Sequence, residues 1–139
     1  MFECSRNHQE QIVPHSHRFD FGCLVLEGHV ENIIWRPTGD APGDRFVESV
    51  LVYDNDVGRY RERVRQSIQS WRFDSESYSE GDWYGMRADQ VHSIQFRAGT
   101  SVLFFEGPTI SDRSVIIEPF VDGQHVETFK VEPWMFQRD

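Results

Sequence analysis

Short apolar runs recur along this chain at near-regular spacing, each closed by glycine, proline or aspartate. They fall at residues 19–26, 29–36, 45–53, 82–86, 91–96, 101–105, 114–118 and 125–131. These runs are rich in β-branched and aromatic residues, which pack well on a pleated surface. Many short strands punctuated by turn residues define an all-β sandwich or barrel. Residues 11–17 read as one further strand. Glu27-Gly28 and Asp54-Asn55-Asp56 read as turns, and Thr38-Gly39-Asp40-Ala41-Pro42-Gly43-Asp44 as a loop.

Residues 59–68 fit two periods. Tyr60, Val64 and Ile68 match a helix at i, i+4 and i+8, and equally one face of a strand with Arg59, Arg61, Arg63 and Arg65 opposite. The β-rich surroundings favour a strand. Burying unpaired guanidinium groups costs several kcal/mol each on an order-of-magnitude view, and burying a large apolar side chain gains roughly 1.5–3 kcal/mol. The apolar face is therefore expected inward and the arginines outward. Residues 75–80 form a polar stretch ending at Gly81.

The chain has 139 residues and carries no repeat, linker or low-complexity tract, so residues 1–139 read as one domain. A net charge of −9 argues against nucleic acid or an anionic membrane as partner. No apolar run is long enough to span a bilayer, and the first residues lack the shape of a signal peptide. Cys4 and Cys23 make neither a disulfide nor a metal pattern, and a reducing, cytoplasmic setting is expected. The apolar tail Pro133-Trp134-Met135-Phe136 is expected to pack on the barrel or on a second subunit, and sheet edges are expected to pair in a homodimer.

Chemistry enters at Pro14-His15-Ser16-His17, just ahead of the run from Phe19 to Leu26. Residues two apart point about 200° apart on a helix but share one face of a strand. His15 and His17 can therefore aim two imidazoles at one point, and imidazole is the commonest metal ligand. The candidate third ligand is His92, in Gly81-Asp82-Trp83-Tyr84-Gly85-Met86-Arg87-Ala88-Asp89-Gln90-Val91-His92. His8, His29 and His125 lack matching partners and read as surface residues. Cys23 reads as a small core residue, and Phe19, Phe21, Trp83, Tyr84, Phe96, Phe104 and Phe105 read as core.

These two stretches together resemble the two motifs of the cupin superfamily. His15, His17 and Gly28 match the first, a His-x-His pair with a glycine closing the strand. Gly81, the Arg87-Ala88-Asp89 turn and His92 match the second, a glycine, a turn and a histidine in register. Two departures stand out. The carboxylate of the first motif falls on Phe21 or Gly22, leaving Asp20 one or two residues early as an open fourth ligand, and Arg87 and Asp89 replace proline and glycine in the second. The resemblance implies a double-stranded β-helix (jelly-roll) barrel with one divalent transition metal held by His15, His17 and His92. Its three-histidine set is similar to that of thiol dioxygenases, which favours Fe(II), with Zn, Mn, Ni or Cu as alternatives. The implied activity is a mononuclear non-haem Fe(II) oxygenase acting on a small molecule at the barrel mouth, with Tyr84 as a candidate hydroxyl near the metal. A Zn- or Mn-dependent isomerase or lyase and a non-catalytic ligand-binding or sensing cupin are the alternatives.

Overall fold

A computed structural model describes residues 2–3 and 13–120. Nine strands follow one another: β1 (Phe2–Glu3), β2 (Phe19–Glu27), β3 (His29–Gly39), β4 (Arg45–Asp54), β5 (Arg59–Ser79), β6 (Trp83–Met86), β7 (Val91–Phe96), β8 (Ser101–Thr109) and β9 (Arg113–Pro119). The described residues are all-β, as the spacing of the apolar runs predicts. Strands pair antiparallel in two sheets, ordered β1-β8-β2-β6 and β7-β3-β5-β4-β9, an arrangement compatible with a β-sandwich. Among the described residues no helix is long and apolar enough to cross a membrane. The expected strand at 125–131 and the tail at 133–136 lie outside the described residues.

Alternation along the strands decides what is buried. On β2, Phe19, Phe21, Cys23 and Val25 turn inward, and they meet Val30 and Ile34 of β3, Tyr84 and Met86 of β6 and Phe96 of β7. A second apolar cluster joins Phe46, Trp71, Val91 and Ile117, with Trp35 and Val115 against it. Cys23 is a buried core residue as expected, and burial pushes its thiol pKa up. Two of the expected core aromatics are not core: Trp83 is 69% exposed and Phe105 56% exposed. In the ladder Trp83 lies opposite Leu24 and Phe105 opposite Gly22, which are the outward positions of β2.

The polar stretch 75–79 belongs to β5, which runs unbroken for 21 residues. Its first part, Arg59 to Ser70, pairs with β4, and its second, Ser70 to Ser79, pairs with β3. The 59–68 segment is a strand, but the inward apolar face does not hold. Val64 and Ile68 are 42% and 43% exposed. Arg59, Arg61 and Arg65 face solvent, while Arg63 is half-buried in an ion pair with the buried Glu118 of β9. Two register shifts in the β4–β5 ladder, between Val47 and Ser49 and between Val52 and Tyr53, break the simple alternation. Glu118 supplies the partner without which a buried guanidinium would be unfavourable.

The segment expected as a strand at 11–17 takes another form. Within its described part, residues 13–17, only His15 makes ladder contacts, one bridge to His92 on β7 and one to Ile116 on β9. These are the two outer strands of the larger sheet. The His15 amide donates to the His92 carbonyl at 2.8 Å and the His92 amide returns a bond at 2.9 Å. On the other side the Ser16 amide donates to Val115 at 2.8 Å, and the Ile117 amide donates to Pro14 at 3.1 Å. Pro14–Ser16 thus joins the two edges of the five-stranded sheet and satisfies backbone groups that would otherwise be open.

Gly28, between β2 and β3, has φ of +91°, a conformation that glycine adopts without strain. A Cβ there would stand 2.6 Å from the Thr100 Cα, a backbone atom with little room to move. The Thr100 hydroxyl bridges this turn, accepting from the His29 amide at 3.1 Å and donating to the Arg97 carbonyl. Gly28→Ala combines backbone strain of about 1–2 kcal/mol with overpacking of about 1–3 kcal/mol. A loss of about 2–5 kcal/mol is expected in urea unfolding, and a change below about 0.5 kcal/mol would contradict the tight Gly28–Thr100 contact.

Candidate metal centre

The bridges that close the larger sheet also bring the histidines together. His15 and His92 are cross-strand neighbours, and His17 follows two residues along the same segment. The His17 amide donates to the Ala88 carbonyl at 2.9 Å, and the Ala88 amide donates to Asp20 Oδ1 at 2.7 Å. The Arg87–Asp89 turn therefore clamps the chain on both sides of Arg18. Ring centroids lie 4.7 Å apart for His15–His17, 5.0 Å for His15–His92 and 5.1 Å for His17–His92. Each residue offers one ligating nitrogen, and the three atoms fall within 4.8 Å of one another. Three histidines, His15 and His92 buried and His17 half-buried, thus lie close enough to bind a metal ion.

The outer nitrogens fix the tautomers. His15 Nδ1 lies 2.7 Å from the Val13 carbonyl, which can only accept, so this nitrogen carries the proton. His92 Nδ1 lies 2.7 Å from Asn32 Oδ1, while the Asn32 amide nitrogen faces the Met86 sulfur at 3.4 Å. Both Nε2 atoms are then left with a lone pair. Such an outer hydrogen bond orients a ligating histidine and raises its basicity. His17 Nε2 and His92 Nε2 are 3.0 Å apart. Two nitrogens bound at about 2.0–2.1 Å to one ion stand roughly 2.9 Å apart at a right angle and roughly 3.4 Å apart in a tetrahedron. The separation fits a shared ion. Without an ion it is a hydrogen bond in which His17 donates.

Electrostatics keep the set neutral. Burial holds the His92 and His17 imidazoles well below the usual histidine range. His15 and His17 add to this at His92, and His15 and Arg18 add to it at His17. Burial lowers His15 too, against the opposing bond to Val13. Neutral imidazole is the form that binds metal. Arg18 is itself buried, with its guanidinium carbon 3.7 Å over the Tyr53 ring, a contact that stabilises a desolvated cation.

His17 opens onto a cleft of about 650 Å³, lined also by Ser16, Asp20, Arg87, Ile110 and Arg113. Among the described residues the metal-capable group is the three histidines alone. Asp20 is exposed and committed to the Ala88 amide. Tyr84 is buried on β6, its hydroxyl bonded to the Cys23 thiol and its ring stacked on Tyr78 at 4.5 Å. Burial pushes its pKa up, and Cys23 adds to the shift. His29 bonds Glu31 at 2.7 Å, away from the cluster, and His8 and His125 lie outside the described residues. Asn32 was not among the residues singled out from the sequence. Its signal was a polar side chain at an inward position of β3, between Val30 and Ile34, where it is fully buried. No protein-family model matches the chain, and neither curated proteins nor solved structures yield a match.

Proposed function

We propose that this chain is a small metalloenzyme of the cupin type, a mononuclear non-haem Fe(II) oxygenase acting on a small molecule in the cleft beside His17. The observation that carries the reading is the convergence of His15, His17 and His92, whose ligating nitrogens lie within 4.8 Å of one another. The cupin double-stranded β-helix is supported by the two antiparallel sheets and by the meeting of the two motif stretches at one point. A bound Fe(II) would supply a redox centre and template with positions left open for substrate and O2. His15 and His92 shield the rear of the site from water. His17 presents the centre to the cleft, Asn32 holds the His92 ring, and Arg87 and Arg113, each paired with a neighbouring aspartate, line the cleft wall.

A second reading is a Zn- or Mn-dependent isomerase or lyase. It is favoured by the uncharged donor set, which leaves the full charge of a divalent ion available to polarise a carbonyl. Protein purified without chelators or added metal should carry about one transition metal per chain, and His17→Ala should lose it. Metal well below one per chain in both, after anaerobic reconstitution with Fe(II), Zn(II) and Mn(II), would overturn the proposal. O2 uptake with small thiols or acids separates the oxygenase from the redox-silent enzyme and from a non-catalytic binder.

A further inference from the structure

A second ordered group of polar side chains stands on the other face of β3 from Asn32. His29 and Glu31 lie two apart on β3, and Ser75, Ser77 and Ser79 alternate on β5, so all five share one face. In the ladder His29 stands opposite Ser79 and Glu31 opposite Ser77. Ile34, the ladder partner of His92, lies roughly 17 Å farther along β3 than His29. Glu31 accepts from Ser77 at 2.6 Å, from Ser75 at 2.8 Å and from His29 Nε2 at 2.7 Å. Ser77 first, and His29 next, hold its carboxyl at about 2, so it is an anion at neutral pH. A carboxylate only accepts, so His29 Nε2 carries the proton and Nδ1 keeps a lone pair. That lone pair faces the Ser79 hydroxyl at 3.3 Å. Hydrogen bonds between a nucleophile and its base are often this loose before substrate binds, and they tighten afterwards.

We propose that Ser79, His29 and Glu31 form a second reactive centre, a serine nucleophile with its general base, which cleaves small esters by acyl transfer. Ser79 Oγ attacks the acyl carbon while its proton passes to His29 Nδ1. The bond from that carbon to the alcohol oxygen breaks, the alcohol leaves with the proton, and an acyl-serine remains. Water, deprotonated by the same nitrogen, then releases the acid and restores Ser79. Glu31 is the positioning residue, since it fixes the tautomer and stabilises the imidazolium that forms. The backbone of both reacting residues is pinned. The His29 amide donates to Thr100 Oγ1 and its carbonyl accepts from the Arg97 amide, each at 3.1 Å. The Ser79 amide donates to Asp82 Oδ2 and its carbonyl accepts from the Asp82 amide, each at 2.9 Å. Among the described residues the Glu80 amide has no acceptor. It follows the nucleophile directly, the place from which a backbone N–H serves an oxyanion in serine hydrolases. Ser79 stands exposed at the strand end, which suits a short acyl chain, and Glu80 and Asp82 beside it disfavour anions. The substrate class is therefore short-chain esters of uncharged or cationic alcohols.

A fluorophosphonate and p-nitrophenyl acetate test this on the full chain. The fluorophosphonate should leave one adduct, on Ser79 rather than Ser75 or Ser77, by peptide mass. The acetate should give a burst of about one nitrophenolate per chain, the mark of an acyl-enzyme. Ser79→Ala should abolish both, and His29→Gln should slow both roughly 100-fold or more, with the far-UV circular dichroism of each variant unchanged. Glu31→Gln should slow the burst and leave the KM for the ester as it was. Wild type stripped of metal by a chelator should react as fast as untreated protein. Absence of an adduct on Ser79, or an adduct that forms as fast in His29→Gln, overturns the proposal. Loss of the burst on chelation overturns it too, because the reaction would then belong to the three histidines.

Discussion

Replacing His92 by alanine is expected to drop the metal content from about one per chain to near zero. Three neutral nitrogens are the whole donor set among the described residues, so the variant keeps there only His15 and His17, two residues apart on one segment. His92 is also the ligand whose position two strands share, through its ladder partner Ile34 and its bond to Asn32 on β3 and through its bridge to His15. Losing it leaves Asn32 Oδ1 without this donor in a fully buried place, which costs about 1–3 kcal/mol. Asn32→Leu separates the two effects. It keeps all three ligands and frees the His92 ring to turn, which should weaken metal affinity about 10–100-fold. Competition with a chelator of known affinity reads both variants. Stoichiometric metal in His92→Ala would show that the ion sits elsewhere.

The metal-free protein is expected to lose stability steeply as pH falls below about 6.5. Burial depresses the folded-state pKa of all three imidazoles from an ordinary value of 6.5. Above 6.5 both folded and unfolded states hold them neutral, so they contribute no pH dependence. Below 6.5 the unfolded chain takes up protons that the folded chain refuses, and stability falls until the depressed pKa values are reached. Each histidine contributes at most about 1.4 kcal/mol per pH unit, or about 4 kcal/mol per unit for the three together. Urea unfolding of chelated protein should give a flat profile from pH 8 to 7 and a steep fall by pH 5.5. Bound metal should hold the profile up to lower pH, because protons and metal compete for the same lone pairs. Equal stability at pH 7 and 5.5 in the metal-free protein would refute the buried neutral cluster. Glu31 acts in a different window. Hydrogen bonds from Ser77 and His29 hold its carboxyl down at about 2, so its contribution is present above 4.5 and lost below that.

The strands were legible because period-two burial writes itself into residue type, as in Phe19, Phe21, Cys23 and Val25. The His15–His17 pair was legible from its spacing, although residues 13–17 form no strand and only His15 makes ladder contacts, and His92 was legible through its register with Gly81 and the turn at Arg87–Asp89. Trp83 and Phe105 misled because aromatic content does not say which face of a strand is covered, and both faces of β2 are apolar. Val64 and Ile68 misled because register shifts in the β4–β5 ladder are set by pairing between strands, which the local pattern does not encode. The proton-fixing role of Asn32 needed the fold, since its partner is 60 positions away.

The joining of the larger sheet by Pro14–Ser16 bears on the order of assembly. The seam joins Ser16 to Val115, 99 positions apart, which is among the longest closures in the described residues, and long loops are slow to close. The ladders β2–β8, β3–β5 and β4–β5 do not need the seam, so it can zip last and open first. An ion held across it would act as a rivet, binding only the zipped chain and shifting the balance toward it. Occupancy of the three histidines would then report that the final stitch of folding had been made.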